Sequence, residues 1–220
     1  MKIVTSTRDM TTRHHSVRAF TLIELLVVIA IIAIVAGLVV GLSGVTSEKK
    51  KISRAQVERD RLVTLIEDYK AKVGVYPPDN PNNAGRNTLL YELAGAIRDT
   101  RNPGNPTYIT PIANITPLGN IQASVLIASF GVNGIQNAVD IGGETNQVHR
   151  LLKSVKPDQM GTVAPGTISL VVPIDDWNGQ QPNPWNYLRG DNAAHNKDSF
   201  DLWVNIKMGR KTNVIGNWKE

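Results

Sequence analysis

From Leu25 to Ser47 the chain runs for 23 residues without one charged side chain. About 20 apolar residues are enough for a helix to cross the hydrocarbon core of a bilayer. A secretory signal peptide has a shorter apolar region of about 7–15 residues, closed by a small-residue cleavage site. This segment is too long for that, so it is expected to stay in the mature protein. A buried core helix would show a polar face somewhere in six turns, and none is visible. The stretch therefore reads as membrane-spanning.

Glu24 is the one charge between Ala19 and the end of this stretch. A carboxylate at the apolar end of a membrane helix is costly, and such groups usually have a partner. A free amino terminus close by would serve. Ala19-Phe20-Thr21-Leu22-Ile23-Glu24, preceded by a short basic leader, resembles the type IV prepilin signal of pilins and secretion-system pseudopilins. The resemblance implies that a membrane peptidase cuts between Ala19 and Phe20 and that the new amino group of Phe20 is methylated. It also implies that the apolar helix is kept and that Glu24 pairs with a neighbouring subunit's amino terminus during assembly. The family's usual residue before the cut is Gly, so Ala19 is a departure, though a small one.

Charge supports this division. Lys and Arg exceed Asp and Glu by 24 to 19, and residues 1–19 hold Lys2, Arg8, Arg13 and Arg18 against Asp9. Without the leader, 20 basic residues face 18 acidic ones, so the basic balance is mostly the leader's. It gives no reason to expect nucleic-acid binding. The absence of cysteine excludes disulfides, thiolate metal sites and cysteine nucleophiles. The His14–His15 pair sits in the disposable leader and is read as incidental.

Within the apolar helix, Ala33, Gly37 and Gly41 recur every four residues on one face. Small residues at this spacing let helices approach closely. The same residues are also ordinary membrane-helix composition, and both readings stand. From Glu48 the pattern becomes amphipathic, with Ile52, Ala55, Arg59, Leu62, Ile66, Tyr69 and Val73 stepping by three and four. Arg59 is the only charged member of that stripe. Gly74 and Pro77–Pro78 stop the helix. One helix from Phe20 to Val73 is expected, about 80 Å long at 1.5 Å per residue. Basic residues flank the apolar span on both sides, with Lys49, Lys50, Lys51 and Arg54 on the far one, so charge bias does not orient it.

Further on, Tyr69-Lys70 followed by Tyr76-Pro77 is similar to the major pseudopilins of type II secretion systems, where the long helix ends at this point. Residues 79–120 are rich in Asn, Pro and Gly around one expected helix, Asn87–Arg98. A second is expected at Asn146–Lys156, while Ala123–Phe130 fits either state. The last third reads as β. Thr167–Ile174 is a β-branched run, Phe200–Ile206 alternates with period two, and Thr212–Trp218 is a weaker strand. The intervening segment from Asp175 reads as a loop. Its run to Phe200-Asp201-Leu202 and Asn217-Trp218 loosely matches the C-terminal pseudopilin pattern. Trp177, Trp185, Trp203 and Trp218 are expected to close a small core beneath the helix rather than to form a sugar platform.

Many major pseudopilins hold calcium in the loop after that strand, and hard oxygen ligands suit this ion. Here the stretch carries Lys207, Arg210 and Lys211 and no carboxylate. Asp175, Asp176, Asp191, Asp198 and Asp201 lie nearby, but Asp in Gly/Pro-rich loops is usually turn-forming. No metal and no cofactor is expected, calcium being the candidate weighed and set aside. Outside the leader only His149 and His195 remain, with no catalytic partner pattern, and there is no phosphate loop. No enzymatic role is expected.

These readings converge on an α+β, pilin-like fold, with a long N-terminal helix on a C-terminal antiparallel sheet and an elaborated loop/helix middle region. The expected divisions are a cleaved leader at 1–19, a transmembrane and filament-core helix at 20–47, its amphipathic continuation at 48–74, and a globular domain at 75–220. The resemblance implies a structural subunit of a type II secretion pseudopilus-like filament. It would be inserted once in the inner membrane, leader in the cytoplasm and C-terminal domain in the periplasm. Its partners would be copies of itself, the prepilin peptidase, an inner-membrane assembly platform and minor pilin-like subunits. The alternatives are a type IV pilus major subunit and, from another class, a membrane-anchored extracytoplasmic enzyme or binding domain.

Overall fold

The computed structural model describes residues 21–112, 119–142, 148–174 and 182–219, with the side chains of residues 38–46 left out. The chain divides into two units between Thr46 and Ser47. Helix α1, Leu22–Val73, is 52 residues long. It ends at Gly74, whose φ of 91° is one that side-chain-bearing residues rarely adopt, and whose N–H donates to the Lys70 carbonyl at 2.8 Å.

In the Ser47–Glu220 unit, the α1 stripe read from the sequence is the face that packs inward. Ala55, Leu62, Ile66 and Tyr69 are fully buried, with Ile52 and Val73 packed at the edges. Each buried Leu or Ile contributes roughly 1.5–3 kcal/mol. Arg59 lies half-buried on this stripe, and its Nη1 donates to the carbonyl of Gly216 at 2.8 Å. The stripe's charged member is thus a tie to the last strand.

The C-terminal sheet is antiparallel in the order β7 (Asn186–Arg189), β8 (Phe200–Met208), β9 (Lys211–Gly216). Phe200, Leu202, Val204 and Ile206 are buried, as the period-two pattern requires. Gly209, at φ 58°, makes the β8–β9 turn. Two expectations are corrected here. The segment after Asp175 is not all loop, since β7 forms in it. The Thr167–Ile174 run is a strand only to Leu170, as β6 (Thr167–Leu170), paired with β5 (Met160–Ala164). Beyond Leu170 the chain is stitched to the segment before β7. Val171 bridges Pro184, Val172 N–H donates to Asn183 O at 3.0 Å, and Trp185 N–H to Leu170 O at 3.1 Å. Residues 183–189 therefore join the β5–β6 pair to the C-terminal sheet.

The middle adds four short strands to the helices and loops expected there, in the order β3-β2-β1-β4. They are β1 (Ala96–Asp99), β2 (Thr107–Ile109), β3 (Ile121–Gln122) and β4 (Ala138–Asp140). Three are antiparallel neighbours, and β4 pairs parallel with β1. Ala123–Phe130, left open by its sequence, is helix α3, closed by Gly131 at φ 71°. The expected helix Asn87–Arg98 is cut down to α2, Leu89–Ala94, because Gly95 takes φ 71° and releases the chain into β1. The expected helix at Asn146–Lys156 is also corrected. Residues 148–156 are irregular, and positions 146 and 147 lie outside the described residues. There the N–H groups of Leu151 and Leu152 both donate to Leu93 O, at 3.0 and 2.8 Å, while Asn137 clasps His149 through both backbone groups. Leu152 and Val155 reach the core from this irregular backbone.

The tryptophans divide rather than cluster. Trp185 is 1% exposed in the core, whereas Trp203 and Trp218 are half-buried and meet edge-on at 6.0 Å. Trp177 lies outside the described residues.

Candidate functional site

At the start of α1, Thr21 and Glu24 form a reciprocal cap. The Glu24 N–H donates to Thr21 Oγ1 at 3.3 Å, and one Glu24 carboxylate oxygen accepts from the Thr21 N–H at 3.0 Å and its hydroxyl at 2.7 Å. This is the Thr-x-x-Glu capping box, which satisfies N–H groups that a helix end leaves without partners. Four consecutive residues, Thr21-Leu22-Ile23-Glu24, carry this signal in the sequence, beside the assembly role that the resemblance implies for Glu24. The cap holds Glu24 at the outer surface of the first turn, and its second oxygen has no hydrogen-bond partner among the described residues. Ala19 and Phe20, the expected cleavage and methylation positions, lie outside the described residues.

From Leu22 to Gly37 every side chain is exposed. Leu22 is 81% exposed, Ile23 66% and Ile34 66%, and the large apolar side chains point in all directions around the helix. A helix greasy on every side needs apolar cover all round, and an apolar surface this continuous marks an interaction site. Ala33 and Gly37 lie on it, and a Cβ added at Gly37 would meet nothing within 4 Å. The surroundings of Gly41 lie outside the described residues. Among the described residues no helix is long and apolar enough to cross a membrane. The apolar side chains described span 16 residues from Leu22, against the roughly 20 that a hydrocarbon core requires.

In the Ser47–Glu220 unit the polar groups serve architecture. Tyr76 packs edge-on against Phe200 at 5.3 Å, and its hydroxyl lies 3.1 Å from Glu67 and from Ser199. Arg189 donates to Tyr76 O at 2.7 Å, and Tyr187 to Pro77 O at 3.1 Å. The Tyr-Pro turn that ends α1 is therefore fixed by β7. Beside it lies a cleft of about 540 Å³ whose charges are mixed, Lys70 and Arg189 facing Asp79, Asp191 and Asp198.

Glu92 is fully buried and accepts from Tyr69 Oη at 2.7 Å, Gln136 N at 2.8 Å and Asn137 N at 3.0 Å. Burial pushes its carboxyl up, against the downward pull of those three donors. It ties α1 to α2 and to the segment entering β4. No periodic pattern announces such a group, since in sequence Glu92 is one polar residue in a short apolar helix.

The carboxylates weighed for calcium are differently placed. Asp175 and Asp176 lie outside the described residues, and Asp191 and Asp198 line the mixed cleft. Asp201 is buried and accepts from the backbone and ring of His195 and from the backbone and side chain of Asn196, at 2.8–3.1 Å. Burial pushes its carboxyl up, but these hydrogen bonds more than offset that and hold it below the usual range. Lys207, Arg210 and Lys211 are exposed around the β8–β9 turn. No group of three or more His, Asp or Glu is placed to hold a metal among the described residues. The His195 ring stacks on Trp218 at 3.9 Å and 3°, so this pairing closes a loop over the sheet edge. His149 is held through its backbone by Asn137.

Comparison with known proteins speaks to the N-terminus alone. Searches of curated proteins and of solved structures gave no match. Residues 14–40 match the family model of the prokaryotic N-terminal methylation motif, so the capped, all-exposed start of α1 carries a type IV pilin-like prepilin signal at the head of an α+β, pilin-like fold.

Proposed function

We propose that the chain is a structural subunit of a type II secretion pseudopilus-like filament. In this reading the prepilin peptidase cuts between Ala19 and Phe20 and the Phe20 amino group is methylated. The apolar helix anchors the subunit in the inner membrane, with the C-terminal domain in the periplasm, until an assembly platform and minor pilin-like subunits incorporate it. Glu24 then pairs with the amino terminus of a neighbouring copy, and Ala33, Gly37 and Gly41 let the bundled helices approach. The observation that carries this reading is the methylation motif at residues 14–40, falling on a helix whose apolar side chains from Leu22 have no cover among the described residues. The Tyr69-Lys70 and Tyr76-Pro77 pattern favours the pseudopilus over a type IV pilus. Its residues fix the end of α1 against β7 and β8.

Intact-mass analysis of the protein from its native membrane tests the processing step. The expected mass is that of a chain beginning at Phe20 with one added methyl. A chain that still begins at Met1 rejects the reading and leaves a simple anchor.

A further inference from the structure

Strand β8 runs antiparallel to the part of α1 that lies in the Ser47–Glu220 unit. Glu67 and Ser199 share the Tyr76 hydroxyl, at 3.1 Å each, and Arg59 reaches Gly216, which lies opposite Trp203. Between these two ties α1 steps back eight residues, about 12 Å, while β8 steps forward four, about 13 Å. Six residues more bring β8 to the turn at Gly209, about 20 Å further on, a distance that along α1 leads from Arg59 back past Lys50 and Lys49. Ile52 and Met208 pack against the same core there. The Arg54–Asp158 ion pair brings residues 156–158 to this end as well.

The three segments gathered at this end carry charge of nearly one sign. Residues 47–54, 156–158 and 207–211 together hold eight basic side chains and two carboxylates. Of the carboxylates, Asp158 is taken up by Arg54 and the other is Glu48. Asp175 and Asp176, which lie outside the described residues, would still leave eight against four if both were counted here. Lys49, Lys50, Lys207, Arg210 and Lys211 are all exposed, and none has an ion-pair partner among the described residues. Elsewhere on the unit the signs mix. Arg61 pairs with Glu58, Arg59 with Asp60, and the cleft beside Tyr76 holds both signs. A one-signed field repels itself until an opposite charge covers it.

We propose that this end of the unit, with the β8–β9 turn beside Lys49 and Lys50, docks on the headgroups of anionic phospholipids. The proposal rests on the membrane-anchor reading of the function above. Lys49 stands two residues beyond the charge-free run that ends at Ser47, so a helix spanning there delivers Lys49 and Lys50 to the headgroup layer. Basic side chains beside a span are drawn to anionic lipid, and the attraction fades within a Debye length. Lys207, Arg210 and Lys211, distant in sequence, are brought within that range because β8 returns along α1. The turn then holds the globular unit to the bilayer surface, a role that the anchor helix alone does not supply.

The test uses the full-length chain in vesicles of phosphatidylcholine, alone or mixed with phosphatidylglycerol. The chain has no cysteine, so Thr212→Cys, at an exposed position beside the turn, carries a single fluorophore against a headgroup-linked quencher. Quenching is expected to be severalfold stronger in the mixed vesicles and to fall to the phosphatidylcholine level in high salt. Lys207→Gln with Arg210→Gln and Lys211→Gln is expected to give that same low level in mixed vesicles. Equal quenching in the two lipids, or a triple variant that quenches like its parent, overturns the proposal. The lipid and salt comparisons need no change to the turn, so they decide the matter even where the triple variant folds poorly. Retention through an alkaline carbonate wash is read in parallel. A retained chain without lipid-dependent quenching overturns the docking alone, while a chain that washes off removes the anchor reading and the docking together. Absence of quenching in vesicles, with crosslinking of Thr212→Cys to a protein in native membranes, assigns the patch to an acidic protein and also overturns it.

Discussion

The two parts of α1 share one backbone conformation and differ in where their side chains find cover. Between Leu22 and Gly37 all of them are exposed, apolar residues included. Between Ser47 and Val73 exposure alternates, and Ala55, Leu62, Ile66 and Tyr69 vanish into a core built with α2, β8 and β9. A helix in water is held mostly by packing of its apolar face. The later part finds that packing inside its own chain, and the earlier part has none among the described residues; in the proposed function it finds it in lipid or in other copies. The difference separates a part of α1 that builds the core from a part that adds nothing to it, along a single element.

The largest effect is expected at the earlier part. Glu24→Leu should reduce sheared filaments to background while insertion and cleavage continue, because in the proposed filament the amino group of a neighbouring copy is then left without its carboxylate in an apolar bundle. Undiminished filament yield would remove Glu24 from assembly and leave the Thr21 cap as its only role. The later part is tested by removing residues 1–44, which should leave a folded, soluble monomer by circular dichroism and sedimentation. In that shortened chain Leu62→Ala should cost about 2–5 kcal/mol on denaturant unfolding, as for other buried leucines. Leu26→Ala in the full chain should leave the melting of the globular unit unchanged. Equal effects from the two leucines would erase the contrast.

A smaller effect is expected at the tie between α1 and α2. Tyr69→Phe removes one of three donors to Glu92, at a cost of about 1–3 kcal/mol near neutral pH. The sign of its pH dependence follows from the raised carboxyl. Glu92 favours the folded state most below its unfolded pKa of about 4.3, and that contribution fades as pH rises through the folded value. Loss of the Tyr69 hydroxyl raises the folded value further, so the penalty should shrink toward pH 4. A penalty independent of pH would mean that the hydroxyl acts by packing alone. The smallest effect is reserved for calcium. Millimolar Ca²⁺ should leave the melting temperature of the shortened chain nearly unchanged, because a bound ion would stabilise by mass action. A large rise reversed by chelator would place a site at the carboxylates near Asp191 and Asp198.

Periodicity made much of this chain legible by itself. The apolar run, the α1 stripe and the alternation from Phe200 to Ile206 are repeats of burial, and repeats of burial dictate helix and strand wherever one face is covered. The Thr-x-x-Glu cap was equally local and could have been read from four residues. Tertiary structure decided what no local pattern encodes. Gly95 ends α2 early because the chain must turn into β1, and residues 148–156 abandon their helical spacing because Leu93 and Asn137 bond their backbone instead. Glu92 and Asp201 became structural anchors because segments distant in sequence brought donors to them. Strand β7 was invisible for the same reason: Asn186–Arg189 has little alternation of its own and is a strand because β8 lies beside it. Short segments obtain their backbone partners from the fold, and only long periodic ones announce them in advance.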